Sequence, residues 1–200
     1  SFTLEKRIPV ASGLGGGSSD AAAALRGLRT LYGIDASDND LCKIAEQLGS
    51  DVPFLIQGGT AVVSGRGDII DRTSWLFDLT YVLVYPGFGV STAWAYGVLS
   101  GHGRRQEHYR EVTNKLLSGV ISQDDLLDGL SNDFESVVFG RYPVLGKIRD
   151  GLLAHGARSA LLTGSGSTII GIFEDAKEAH DCCSNIMQQG FEIFVTKAFL

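Results

Sequence analysis

The sequence predicts an α+β protein of two domains, the second following the β-α-β-β-α-β order of a ferredoxin-like sheet. Three observations lead there. A strand-like opening runs into a glycine cluster, Gly13–Gly17, and then into apolar positions at three- and four-residue steps. Short apolar runs recur at Tyr81–Tyr85, Ser159–Leu162, Thr168–Phe173 and Phe191–Thr196. Helical patterns at Val144–Leu153 and Ala176–Gln189 separate the first of these runs from the second and the third from the fourth.

Thr3–Pro9 alternates enough to be a strand. The glycines then feed Ser18, Ser19 and Asp20 at a helix start, with Asp20 in the first turn, where the helix dipole favours a carboxylate. Ala21, Ala24, Leu25, Leu28, Leu31 and Tyr32 form one helical face, and Gly33 ends it. Ser37 and Asp40 make a capping box for a second helix carrying Leu41, Ile44, Ala45 and Leu48, which stops at Gly49. Asp51 followed by Val52 and Pro53 reads as an N-cap with Pro in the first turn, leading into Phe54, Leu55 and Ile56. Thr60–Ser64 and Asp68–Ile70 flank Gly65, Arg66 and Gly67 as a hairpin. A change of texture places a domain boundary near Trp75, dividing residues 1–74 from 75–200. Beyond the Tyr81 strand, Ser91 or Thr92 caps a helix carrying Trp94, Tyr96 and Leu99. Residues 104–140 are polar and helix-prone without a sharper pattern.

Composition narrows the function. With 44% hydrophobic and 20% charged residues in 200, the chain is an ordinary globular protein, neither disordered nor fibrous. Seventeen basic against twenty-three acidic residues leave a net charge of -6, the wrong sign for binding phosphate backbones. The three cysteines, Cys42, Cys182 and Cys183, are an odd number without zinc or redox spacing, which predicts reduced thiols and a cytoplasmic protein. No apolar run reaches the 18 or so residues of a membrane helix, and the opening lacks the order of a signal peptide, so a soluble chain is expected. His102, His108, His155 and His180 show no metal spacing and are expected on the surface, as are Lys6 and Arg7.

The glycine cluster carries the chemistry. A dinucleotide fingerprint fails because Ser18 stands where its third Gly should be. The P-loop pattern fails because Gly146-Lys147 is followed by Ile148. What remains is a set of backbone N–H groups that consecutive glycines let converge on an anion, reinforced by a helix N-terminus and the Ser18 and Ser19 hydroxyls. A plain strand-to-helix turn is the alternative, although four Gly in five positions exceed what a turn type demands. Asp51 is likewise either a helix cap or a carboxylate for acid–base work. The TGSGST segment at Thr163–Thr168 is a hairpin turn or a ligand-lining loop, and Tyr96 a core aromatic or a stacking platform.

IPVASGLGGGSSDAAAAL at Ile8–Leu25 resembles the ATP-binding motif of the GHMP kinases. LGSDVPF at Leu48–Phe54, PGFGVSTAWAY at Pro86–Tyr96, NDFE at Asn132–Glu135 and LLTGSGSTIIGIF at Leu161–Phe173 agree with the family in order. The triple Gly and SSDAAA ending are similar in particular to the members that phosphorylate 4-diphosphocytidyl-2-C-methyl-D-erythritol on its 2-hydroxyl in non-mevalonate isoprenoid biosynthesis. The resemblance implies an ATP-binding domain, incomplete at 1–74, and a ferredoxin-like substrate-side domain at 75–200. It implies Asp51 as the catalytic carboxylate, and Gly13, Gly15, Gly16, Gly17, Ser18 and Ser19 around the ATP phosphates. Tyr96 would stack on the cytosine of the small-molecule substrate, and Gly164, Ser165, Gly166 and Ser167 would lie beside the glycine loop, lining the phosphate or substrate site. Mg²⁺ is implied with ATP, Ser19 being its candidate ligand. Family members carry a strand with Lys and Asn and then a Tyr-His pair ahead of the glycine loop, so the resemblance implies a fragment of a longer enzyme. Two other readings stand: a nucleotide-binding protein without turnover, and a kinase for another small alcohol such as mevalonate or homoserine. An RNA-binding domain is opposed by the acidic balance.

Overall fold

The computed structural model describes residues 1–73, 77–99, 106–186 and 190–198. The boundary expected near Trp75, His102, the side chain of His108 and the expected helix end at Gln189 lie outside them. The chain forms two compact units. A helix–hairpin unit comprises Gly15–Leu76 with Thr113–Val120, and a sheet unit comprises Ser1–Leu14, Phe77–Val112 and Ile121–Phe199.

The helix–hairpin unit holds α1 (Gly16–Tyr32), α2 (Asp38–Ala45), α3 (Val52–Gln57), β1 (Thr60–Ser64) and β2 (Ile69–Thr73). Gly15 turns into a left-handed N-cap (φ 65°, ψ 16°), so α1 starts two residues earlier than expected. Asp20 therefore falls past the first turn, which has no acidic residue, and the dipole role expected for it lapses. Gly33 caps the other end in the left-handed conformation, its N–H reaching the Arg29 and Thr30 carbonyls, as the sequence predicts. The apolar face is buried only in part: Ala22 is fully covered, whereas Leu31 and Tyr32 stay 75% and 71% exposed. Partners of eight and six residues cannot cover a helix of seventeen. The capping box is formed, the Ser37 hydroxyl accepting from the Asp40 N–H and the Asp40 carboxylate from the Ser37 N–H. Helix α2 stops at Ala45, and its inward residues are Leu41, Cys42 and Ala45; Ile44 and Leu48, expected on that face, are exposed. These side chains pack with Ala22, Val52 and Ile56 into one small core. Strands β1 and β2 pair antiparallel from Thr60↔Thr73 to Ser64↔Ile69. Asp68 belongs to the turn rather than the strand, because its carboxylate accepts the Arg66 N–H at 2.7 Å.

In the sheet unit the first surprise is Thr3–Pro9, which forms no strand. Residues 1–8 are exposed and pair with no neighbouring strand, and an unpaired strand has nothing to satisfy its backbone. The sheet is built from β3 (Thr80–Tyr85), β4 (Ser159–Leu162), β5 (Ile169–Phe173) and β6 (Glu192–Lys197). Their order is β4-β5-β3-β6 with every pairing antiparallel, the ferredoxin-like order expected. The polar middle holds three helices, α5 (Gln106–Leu117), whose residues from Thr113 on count with the helix–hairpin unit, α6 (Gln123–Gly129) and α7 (Glu135–Arg141), after α4 (Thr92–Leu99). Helices α8 (Pro143–Ala154) and α9 (Ala176–Ile186) complete the unit. Alternation along β3 sends Val82 and Val84 into a core shared with Leu145, Leu152, Cys182 and Ile186. Tyr81 belongs instead to a second cluster with Leu127 and Ile172.

Candidate active site

Within the sheet unit, the start of the glycine loop is stitched between two other loops. The Val90 N–H donates to the Ala11 carbonyl at 3.2 Å and the Thr168 N–H to the Ser12 carbonyl at 2.9 Å. Ser12 is itself buried, its hydroxyl donating to the Pro9 carbonyl at 2.7 Å. Gly13 (φ 81°) lies against Thr163–Gly166 so closely that a Cβ would overlap the Thr163 carbonyl oxygen. The reciprocal Cβ on Gly164 would stand 3.2 Å from the Gly13 carbonyl. The structure thus brings Gly13 together with the Gly164–Ser167 turn, two segments that sequence reasoning associated only by resemblance. Ser165 shares a 2.9 Å hydrogen bond with Thr92 at the head of α4, and the Ser167 hydroxyl donates to the Phe88 carbonyl. Ser91, the nearer of the two expected caps, accepts the Trp94 N–H at 3.3 Å.

Tyr96 is 57% exposed, so it is not the core aromatic that one reading of the sequence allowed. Its ring meets Phe134 edge-on, centroids 4.9 Å apart and planes at 80°. Trp94 turns elsewhere, into an aromatic cluster with Tyr142 capped by the Arg141 guanidinium 5.0 Å from its ring. Sequence reasoning missed what the NDFE segment does. Asn132 Nδ2 donates to both the Leu162 and Gly164 carbonyls at 2.8 Å, while its Oδ1 accepts the Phe134 N–H at 2.9 Å. Glu135 Oε1 accepts the Leu162 N–H at 2.9 Å. An Asx pattern ahead of a helix was the available signal, but its partner thirty residues on was not.

The other candidates lie in the helix–hairpin unit. No side chain caps α1, and the Ser19 N–H is the first to find an intrahelical carbonyl, that of Gly15, at 2.9 Å. The N–H groups of the turn before it are left as donors. Gly17 is exposed, and a Cβ there would meet no protein atom within 4 Å. Its bareness has no packing cause. Helix α3 packs against α1, and a Cβ at Gly15 would stand 3.9 Å from Leu55 Cδ1. Asp51 occupies the N-cap position of α3 in the αR conformation, yet its side chain caps nothing. Instead the exposed carboxylate accepts the Ser50 hydroxyl at 3.1 Å. The hairpin turn braces this segment, since a Cβ on Gly67 would overlap the Ser50 carbonyl. An open polar cavity of about 460 Å³, lined by Ser50, Pro53 and Arg66 among others, adjoins the segment, and Asp51 does not line it.

Among the described residues no group of three or more His, Cys, Asp or Glu side chains is gathered to hold a metal ion. The donor at the head of α1 is the half-buried Ser19 hydroxyl, which suits a hard cation completed by phosphate and water oxygens. His155 and His180 are exposed, each with its ring nitrogen on a carbonyl one helical turn back. Among the described residues no helix is long and apolar enough to cross a membrane.

Comparison with known proteins gives a consistent picture. Residues 1–59 match the GHMP kinases N terminal domain and residues 120–192 the GHMP kinases C terminal domain. A 4-diphosphocytidyl-2-C-methyl-D-erythritol kinase of Syntrophotalea carbinolica is 40% identical over 197 residues, covering 98% of this chain and 68% of the relative. The protein of that name from Geobacter sp. strain M21 is 39% identical, with 92% and 64% covered. A crystal structure of 4-(cytidine 5'-diphospho)-2C-methyl-D-erythritol kinase superposes with a TM-score of 0.76 at 30% identity, over 97% of this chain and 69% of that one. The chain thus spans about two thirds of the length of the curated relatives it matches. It belongs to the GHMP kinase family of small-molecule kinases, among the 4-diphosphocytidyl-2-C-methyl-D-erythritol kinases.

Proposed function

We propose that the chain transfers the γ-phosphate of ATP to the 2-hydroxyl of 4-diphosphocytidyl-2-C-methyl-D-erythritol, giving the 2-phosphate and ADP, in the cytoplasm. One observation carries the reading. The uncapped N-terminus of α1, bare at Gly17, shares a unit with Asp51, a carboxylate held at a helix start without serving as its cap. Phosphoryl transfer passes through a loose transition state, so the protein's work is positioning and charge stabilisation. The free N–H groups at Gly15–Ser18 and the Ser18 and Ser19 hydroxyls hold the phosphates. Asp51 orients the acceptor hydroxyl and takes its proton on a carboxylate oxygen. Gly13 serves the ATP phosphates as well, the Gly164–Ser167 turn lines the substrate, and Tyr96 stacks on the cytosine, a contact of about 1–3 kcal/mol. Mg²⁺, with Ser19 as its protein ligand, supplies neutralisation of phosphate charge when bound.

The test is ADP release with Mg-ATP and 4-diphosphocytidyl-methylerythritol, mevalonate or homoserine as acceptor. Turnover is expected with the first alone, and Asp51→Asn should lower kcat by about 10²–10⁴-fold with the KM for ATP little changed. Preference for mevalonate or homoserine would overturn the acceptor. ATP binding without phosphorylation of any of the three, by the chain or by a form extended upstream, would turn the reading to a nucleotide-binding protein.

A further inference from the structure

We infer that the quartet Asn132–Glu135 is the positioning element of the acceptor site, setting both the stacking platform and the glycine turn from the head of α7. The inference rests on the reading of Tyr96 and Gly164–Ser167 given above and goes beyond it. Tyr96 sits on α4 with more than half its surface open, and because the χ2 well of a tyrosine is broad, an open ring is set only loosely unless a neighbour fixes it. Phe134 does so, meeting the tyrosine ring edge-on at 4.9 Å. The residues on either side of Phe134 face another target. Asn132 clamps the Leu162 and Gly164 carbonyls with two 2.8 Å donations, and Glu135 accepts from the Leu162 N–H at 2.9 Å. These bonds hold the end of β4, from which the Thr163–Ser167 turn springs.

The quartet is itself braced. The Phe134 N–H returns to Asn132 Oδ1, and the Tyr109 hydroxyl donates to Asp133 Oδ1 at 3.2 Å. Behind Glu135 stands Arg149, 3.6 Å from its second carboxylate oxygen. A segment fixed on three sides transmits any displacement of Phe134 to the turn, and the reverse. None of its side chains needs to touch substrate, so these are positioning residues that govern which acceptor fits.

Two readouts test this without depending on each other: calorimetric titration with cytidine 5′-diphosphate, and steady-state kinetics with separate KM values. Phe134→Leu keeps an apolar, somewhat smaller side chain and removes the ring edge, and Asn132→Asp keeps the acceptor for Phe134 and removes both donations. Each should weaken cytidine 5′-diphosphate binding and raise the acceptor KM by about tenfold, leaving the KM for ATP within about twofold. Unchanged cytidine 5′-diphosphate binding in either variant overturns the inference. So does a parallel rise in both KM values that tracks a fall in Tm, since that marks a merely structural role. Tyr96→Ala separates the layers. If it abolishes cytidine 5′-diphosphate binding while Phe134→Leu retains it, the positioning inference alone fails; if it has no effect, the platform reading fails and the inference with it.

Discussion

At the scale of single residues, two glycines four positions apart do opposite things. Gly13 combines a φ of 81° with a contact that leaves no room for a Cβ against Thr163. Gly13→Ala should therefore lose about 1–3 kcal/mol from backbone strain, and more from the overlap, read as a fall in the denaturation midpoint. Gly17 has no such constraint, being helical and open. Gly17→Ala should raise the midpoint, since Ala is up to about 1 kcal/mol better in a helix, while raising the KM for ATP by about tenfold, or roughly 1.4 kcal/mol of lost contact. A variant that gains stability and keeps full ATP affinity would remove the phosphate role from this turn. Asp51 shows the same separation of function from stability. Its position is that of a cap, but its carboxylate accepts the Ser50 hydroxyl and caps no backbone N–H of α3. Asp51→Asn should accordingly leave the Tm within a few degrees while it removes turnover.

At the scale of elements, the capping box of α2 carries a pH signature. Asp40 accepts from the Ser37 hydroxyl first, then the Ser37 N–H and Lys43, and these hold its carboxyl down at about 2 from an ordinary 3.8. A depressed carboxyl stabilises the fold above the unfolded value and loses that contribution as pH falls through the folded one. The cap is thus intact above pH 3.8 and fades toward about 2. Ser37→Ala should lower the Tm by about 2–4 °C at neutral pH. That difference from wild type should shrink as pH falls toward 2, and a constant difference would refute the linkage. This element was read correctly from sequence because the box is local, Ser37 and Asp40 being three residues apart. Strand Thr3–Pro9 was misread because alternation is necessary for a strand but a partner is required too. The length of the buried face on α1 was misread for the same kind of reason: periodicity marks which side is apolar and leaves open how much of it a neighbour covers.

At the scale of the whole molecule, the three thiols report on global opening. Cys42, Cys182 and Cys183 are unpaired and buried. Burial first, and the neighbouring Cys183 second, push the Cys182 thiol up to about 11, so almost no thiolate is present at neutral pH. A thiol-reactive aromatic disulfide should label none of the three at about pH 8 until denaturant unfolds the chain, whereupon all three react. Fast native labelling of Cys182 would show that its core opens locally. Much of this architecture was legible in the sequence: the β-α-β-β-α-β order, the strand limits of β4, the caps at Gly33 and Ser37, and the family through five ordered motifs. All of these are written in residues close along the chain, where steric preference, hydrogen bonding within a turn and apolar period act directly. What the tertiary structure alone decided lies across long separations. Gly13 meets Gly164, Asn132 clamps Leu162, and Phe134 props Tyr96. Such contacts depend on which loops the folded core brings within a few ångströms, and no local pattern encodes that because the cost of ordering them is met by burial elsewhere in the fold.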